Sequence, residues 1–182
     1  MMEGQRVQLR PLAVEDTDVV VGWRNDPAIL RQLFSEEPPT RESHLRWFDH
    51  LQREGDRQEF IIIDRATHRR IGTASLGRID HARRCAEYGI LIGEADSRGS
   101  GLAREASELI LRYAFEQLQL DTVTLHVFAD NAAALRLYQR LGFVREPAMA
   151  GERVKAGVRR HTCGMGLSKP QWTRSSRRQV RA

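Results

Sequence analysis

Residues 90–103 read Ile90-Leu91-Ile92-Gly93-Glu94-Ala95-Asp96-Ser97-Arg98-Gly99-Ser100-Gly101-Leu102-Ala103. An apolar run stops at Gly93, a polar turn closes on two glycines, and from Leu102 the hydrophobic period changes. Leu102, Ala106, Leu109, Ile110, Tyr113 and Ala114 recur at helical spacing, while Glu105, Glu108, Arg112 and Glu116 fill the other face. The stretch is therefore strand, glycine turn, long amphipathic helix. Glycines let backbone N–H groups approach an anion, and a helix N-terminus adds unpaired donors and a partial positive charge. Arg98 supplies a full one. These features predict a pyrophosphate cradle. It is neither a GxxxxGK loop nor a GxGxxG fingerprint, which sets aside the two commonest nucleotide signatures.

On the N-terminal side, residues 6–10 alternate as a short strand, and Asp16 or Thr17 opens a helix that stops before Asn25-Asp26-Pro27. After Pro38-Pro39, Thr40 or Ser43 opens a second helix, ended by Gly55. Residues 60–64, 70–76 and 86–92 read as strands. On the C-terminal side, residues 122–128 form a β-branched strand and Asp130-Asn131 caps a helix over Ala132 to Leu141. Gly142 suits the left-handed position beyond that helix, and short strands follow around Phe143 and over 163–167. No repeat or interdomain linker interrupts the order.

Composition narrows the class. Of 29 basic residues, five lie from Lys169 onward with no acidic partner, which leaves 24 basic and 24 acidic side chains in the body. The basic balance thus belongs to a polar tail, residues 171–182, expected to be disordered, and not to a nucleic-acid-binding surface. No apolar run approaches the roughly 20 residues that span a bilayer. Two cysteines without CxxC pairing and no signal-like leader predict a cytoplasmic protein with free thiols. His44, His50, His68, His81, His126 and His161 show no metal-ligand spacing, so no metal is expected.

Two motifs carry a family resemblance. Arg98, Gly101 and Ala103 match the pattern Arg or Gln, two residues, Gly, one residue, Gly or Ala. Asn131-Ala-Ala-Ala-Leu-Arg-Leu-Tyr138-Gln-Arg-Leu-Gly142-Phe143 matches an Asn that begins a helix ending in Tyr-x-x-x-Gly-Phe. Over about residues 6–170 the chain resembles the GCN5-related N-acetyltransferases, the GNAT superfamily. The resemblance implies an α/β fold of the α+β kind in one domain, residues 1–170. It would hold a mixed twisted sheet of about six to seven strands and about four helices, with the fourth and fifth strands splayed apart. It also implies acetyl-CoA as cofactor, with its pantetheine arm along Ile90, Leu91 and Ile92. Its pyrophosphate would lie on Arg98, Gly99, Ser100, Gly101, Leu102 and Ala103, with Asn131 as a further cofactor contact.

In that family a tyrosine at the place of Tyr138 protonates the departing thiolate, and Glu87 corresponds to a carboxylate that deprotonates the amine, directly or through water. Trp23-Arg24-Asn25 followed by Ser43-His44-Leu-Arg-Trp47-Phe48 is similar to the nucleotide-linked amino-sugar acetyltransferases of the pseudaminic acid pathway. That likeness makes Trp23, Arg24, Asn25, His44 and Trp47 substrate-binding candidates, with Arg41 and Arg46 as further cations for a diphosphate. The expected reaction is direct acetyl transfer to the primary amine of a small molecule, an amino-sugar nucleotide first. A polyamine such as spermidine, to which Ser35-Glu36-Glu37 would lend carboxylates, and a protein N-terminus are the alternatives. A non-catalytic acyl-CoA sensor is the reading from a different class. The partners expected are the amine acceptor and, in an oligomer, a second copy; no nucleic acid or membrane partner is expected.

Overall fold

The computed structural model of the chain describes residues 1–35 and 37–179. Its strands are β1 (Met2–Glu3), β2 (Val7–Pro11), β3 (Gln58–Asp64), β4 (Arg70–Asp80), β5 (Cys85–Ile92), β6 (Thr122–Phe128), β7 (Val144–Arg145), β8 (Gly151–Lys155) and β9 (Val158–Ser168). The helices are α1 (Thr17–Asn25), α2 (Pro27–Leu30), α3 (Arg41–Glu54), α4 (Leu102–Arg112), α5 (Ala132–Leu141) and α6 (Lys169–Gln179). One sheet runs β1-β2-β3-β4-β5-β6-β9-β7, with β8 attached to β9. Every pairing is antiparallel except that of β5 with β6. The mixed α/β sheet is the one expected.

Local chemistry explains most boundaries. Thr40 caps α3, its hydroxyl accepting from the Ser43 N–H at 3.1 Å while Ser43 Oγ accepts from the Thr40 N–H at 2.9 Å. Gly55 ends that helix in the left-handed region at φ 69°. Asn131 Oδ1 accepts from the Ala134 N–H at 3.1 Å and caps α5, whereas Asp130 turns to Arg160. The helix opened by Leu102 loosens at Tyr113–Gln117, where Leu118 N–H donates to the Tyr113 carbonyl one residue further back than α-helix geometry uses.

Two features depart from the sequence reading. The nine strands exceed the six to seven expected because β1 and β7 are two-residue pieces and β8 pairs with the first half of β9. That hairpin turns on Ala156 and Gly157, both at positive φ, a geometry usually signalled by Asn-Gly. The tail also differs: residues 169–179 form α6. Trp172 is buried and stacks on Phe115 with ring centres 6.0 Å apart, and Ser175 Oγ lies 2.7 Å from where a Cβ on Gly142 would be. An apolar anchor within a basic, low-hydropathy segment docks it, and a single tryptophan leaves no periodic pattern. Residues 180–182 lie outside the described residues.

The sheet separates two cores. Side chains of alternating parity from β2 to β6, including Phe60, Ile62, Leu76, Tyr88 and Leu125, pack with Ile110 and Leu135 of α4 and α5. The opposite face carries Ile61 and Leu91 against Leu12, Val20, Trp23 and Trp47 from the α1–α3 side. Among the described residues, no helix is long and apolar enough to cross a membrane. Replacing Trp172 by Ala should cost about 3–5 kcal/mol of stability, as large aromatic-to-alanine changes in cores do. Chemical denaturation of the full chain measures it; a loss within error would show that α6 does not hold the body together.

Candidate active site

The glycine turn is open where an anion would approach. Gly99 and Gly101 sit at φ 77° and 89°, a Cβ on Gly99 would meet nothing within 4 Å, and one on Gly101 would meet only Arg6 Nη1 at 3.5 Å. Gly101 precedes α4 without a side-chain cap, so the first N–H groups of the helix remain orphan donors. The N–H groups of Gly99, Ser100 and Gly101 make no backbone hydrogen bond among the described residues. Arg98 is placed differently from its expected role. Its guanidinium donates back to the carbonyls of Ile92 (3.1 Å) and Gly93 (2.8 Å) and pairs with Asp26 at 3.2 Å. Arg98 thus fastens the loop to β5 and to the α1–α2 corner. Arg6, which reaches the Ser100 carbonyl at 3.0 Å, is the cation nearest Gly101.

β5 and β6 pair at three positions only: Cys85 with Thr122, Ala86 with Val123 and Glu87 with Thr124. Beyond them β5 follows β4 to Ile92 and β6 follows β9 to Phe128, so the sheet forks. Gly93 N–H donates to the Ile71 carbonyl, which makes Ile92 and Gly72 a pair without mutual hydrogen bonds. Alternation then turns the backbone groups of Ile92, Ile90 and Tyr88 toward the fork. Leu91 points its side chain into the α1–α3 core. The Ile92 carbonyl already accepts from Arg98, which leaves the Ile90 backbone and the Ile92 N–H facing the gap.

On the α4–α5 side of the fork lies Tyr138, which meets Tyr88 and Phe143 edge-on with centres 6.2 and 6.0 Å apart. Burial pushes its phenol up to about 12. Tyr88 is engaged: Ser107 Oγ donates to the Ala103 carbonyl, so the Tyr88 hydroxyl donates to Ser107 Oγ at 2.7 Å. The Tyr138 hydroxyl makes no such bond among the described residues. On the opposite side, Glu87 Oε1 lies 3.1 Å from His126 Nδ1, and Oε2 lies 3.2 Å from Arg78. Arg83 and Arg84, nearer in sequence, turn instead to Asp80 and Asp121. Glu87 and His126 stand on the two prongs at the point of separation. The sequence reading missed His126, which sits in a β-branched strand with no motif around it.

Of the five acceptor candidates, three come together. Arg24, His44 and Trp47 line a cavity of about 290 Å³ with Arg57, Glu59 and Thr73. Trp23 does not: it is buried against Gly93, and its Nε1–H donates to Glu94 Oε1 at 2.8 Å. Asn25 donates to the Pro39 carbonyl at 3.0 Å. Both tie α1 to neighbouring segments. Arg41 pairs with Asp18 at the exposed start of α3, and Arg46 is also exposed, so neither joins the cavity. Within it, burial raises the Glu59 carboxyl, opposed by Arg57 at 3.0 Å. Burial also lowers Arg24. The His44 imidazole lies below its ordinary value, first through burial and then through the charge of Arg24.

The model of the acetyltransferase (GNAT) domain matches residues 6–144. The chain belongs to the GNAT superfamily. Among curated GNAT relatives, the spermidine N(1)-acetyltransferase of Escherichia coli K12 is 29% identical over 173 residues, 94% of this chain and 91% of that protein. Acetyltransferase PseH of Campylobacter jejuni is 28% identical over 129 residues, 71% and 77% of the two chains. A crystal structure of the spermidine N-acetyltransferase of Vibrio cholerae in complex with CoA and spermine superposes with a TM-score of 0.86 at 25% identity. It covers 93% of this chain and 99% of that one. This GNAT protein is an acetyl-CoA-dependent N-acetyltransferase, and its fork and open glycine turn fit that cofactor.

The His44 shift gives a pH signature. Unfolded, the ring takes a proton near its ordinary value of 6.5; folded, it resists until lower pH. As pH falls through that value, the unfolded chain binds the extra proton and stability drops. His44→Gln should therefore lose stability less steeply than the wild type from pH 7 downward, measured by urea unfolding at several pH values. Parallel curves would show that His44 titrates normally.

Proposed function

We propose that the chain acetylates a terminal primary amine of a small polyamine-class molecule by direct attack, without an acyl-enzyme. The observation that carries the acetyl-transfer geometry is the fork, with Glu87 and His126 on one side and Tyr138 on the other. The polyamine class is supported by the spermidine acetyltransferases that align over nearly the whole chain. It is also supported by the strand register: Glu59 pairs with Ser75, which pairs with Gly89, and Glu87 lies opposite Gly77. Two carboxylates thus share the acceptor face. Of the acidic pair at Glu36-Glu37, Glu36 lies outside the described residues.

Acetyl-CoA supplies an activated acyl carbon. N–H groups of the glycine turn and of the first turn of α4 hold its pyrophosphate, and the Ile90 and Ile92 backbone orients the pantetheine arm. Asn131, occupied in capping α5, sets the angle at which that helix presents Tyr138. Glu87 accepts from Nδ1–H of His126 and leaves Nε2 to take the proton of the ammonium, since a protonated amine cannot attack. The Tyr138 phenol, protonated at neutral pH, gives its hydrogen bond to the leaving sulfur. The burial that raises the phenol also raises a thiol in the same surroundings, so donor and leaving group remain matched.

His126→Gln and Tyr138→Phe should each lower kcat by about 10²-fold or more with acetyl-CoA affinity retained, because general acid–base groups supply roughly 10²–10⁴-fold. Steady-state kinetics with calorimetric binding separates the two effects. Wild-type kcat in either variant, with chemistry rate-limiting, would remove that residue from the mechanism.

A second reading, an amino-sugar nucleotide, is favoured by PseH among the relatives and by two guanidinium groups in the cavity, Arg24 and Arg57. Comparing kcat/KM for spermidine, a UDP-linked amino sugar and an N-terminal peptide decides between them. Spermidine should lead by ten-fold or more; a lead by the sugar nucleotide or peptide overturns the polyamine reading and leaves acetyl transfer standing.

A further inference from the structure

The cavity beside the acceptor face holds groups that nothing in the described chain satisfies. His44 is 4% exposed, and neither of its ring nitrogens has a hydrogen-bond partner among the described residues. Arg24, half-buried on α1, makes no hydrogen bond or close ion pair among them; it feels the Glu59 carboxylate only at longer range, against the like charge of Arg57. Glu59, the one carboxylate that lines the cavity among the described residues, is already engaged by Arg57, which also donates to Ser75 Oγ at 3.3 Å. Counting Glu59 as ionised, the described residues of the wall carry one net positive charge, and no carboxylate among them is in contact with Arg24. Buried polar groups are normally hydrogen-bonded, and a desolvated guanidinium calls for an oxyanion.

We propose that this cavity is a binding site for a compact oxyanion, a carboxylate or a phosphate, held by Arg24 with His44 donating one ring N–H. A neutral imidazole keeps its second nitrogen as an acceptor for a hydroxyl on the ligand or for water. Trp47 and Leu12 supply apolar parts of the same wall. The cavity adjoins the acceptor face: Arg57 lies beside Gly77, and Gly77 is the register partner of Glu87. The oxyanion has two sources. It is either part of an acceptor whose amine reaches His126, or a separate small anion that sets the affinity of a polyamine.

The first part of the test does not depend on acetyl transfer. Inorganic phosphate and acetate are titrated into the full chain at constant ionic strength, followed by thermal shift and by the ring ¹⁵N signals of His44. Saturable binding that moves those signals, weakened at least ten-fold in Arg24→Gln and restored toward wild type in Arg24→Lys, supports the site. Wild-type binding in folded Arg24→Gln, or no saturable binding by either probe, overturns it.

The second part rests on the acetyl-transfer reading and compares amines that differ only by an anion: putrescine with ornithine, and glucosamine with glucosamine 6-phosphate. A preference for the anionic member that Arg24→Gln removes supports the acceptor as the source. A phosphate-dependent KM for putrescine, absent in Arg24→Gln, supports a separate anion. If no amine is acetylated while phosphate still binds through Arg24, the proposed function fails and the anion site stands. If spermidine is acetylated and neither probe binds, the anion site fails alone.

Discussion

The fork between β5 and β6 is the constraint on which the rest of the molecule depends. Parallel pairing lasts from Cys85 to Glu87 and then stops, while each strand runs on with the antiparallel partner on its other side. The unpaired backbone of Tyr88 to Ile92 would be an exposed sheet edge in an ordinary protein. Here it becomes a row of donors and acceptors lining a gap, beside the glycine turn where α4 begins. Arg98 secures that geometry by bonding to the carbonyls of Ile92 and Gly93 and to Asp26, which ties strand end, loop and α1–α2 corner together.

The two faces of the sheet divide the chemistry. On the α4–α5 face the surroundings are apolar, and desolvation alone raises the Tyr138 phenol. On the α1–α3 face buried charges are numerous and mostly paired. Asp16 shows how: burial would raise its carboxyl, but two hydrogen bonds from Arg10 at 2.7 Å, the Ala13 N–H and Arg70 outweigh that and hold it below the usual range. This cluster ties β2, β4 and the entry to α1 together. Against such pairing, the unsatisfied ring nitrogens of His44 stand out among the described residues, beside an Arg24 that no carboxylate touches.

The sequence by itself determined the family, the order of the main strands and helices, and the glycine turn before α4. The glycine turn with its helix, and the Asn131 to Phe143 helix, are local devices whose spacing is read along one chain. Two such devices at fixed separation are legible without coordinates. Local chemistry also located helix ends at Thr40 or Ser43, at Asp130-Asn131, at Gly55 and at Gly142, and the structure chose Thr40 and Asn131 as the caps. Where the signal was a single residue, local reading failed: Trp172 anchors α6 within a basic segment, and the Ala156-Gly157 turn lacks the usual pair.

Only the tertiary structure decided which side chains meet across the fork and in the cavity. Glu87 and His126 are 39 positions apart and join because β5 and β6 lie side by side in parallel. Arg24, His44 and Glu59 come from α1, α3 and β3, and which of them lacks a partner depends on where Arg57 folds. Charge pairing is long-range in sequence and short-range in space. The same arginines that read alike along the chain are therefore spent on the surface at Arg41, in the loop at Arg98 and in the cavity at Arg24.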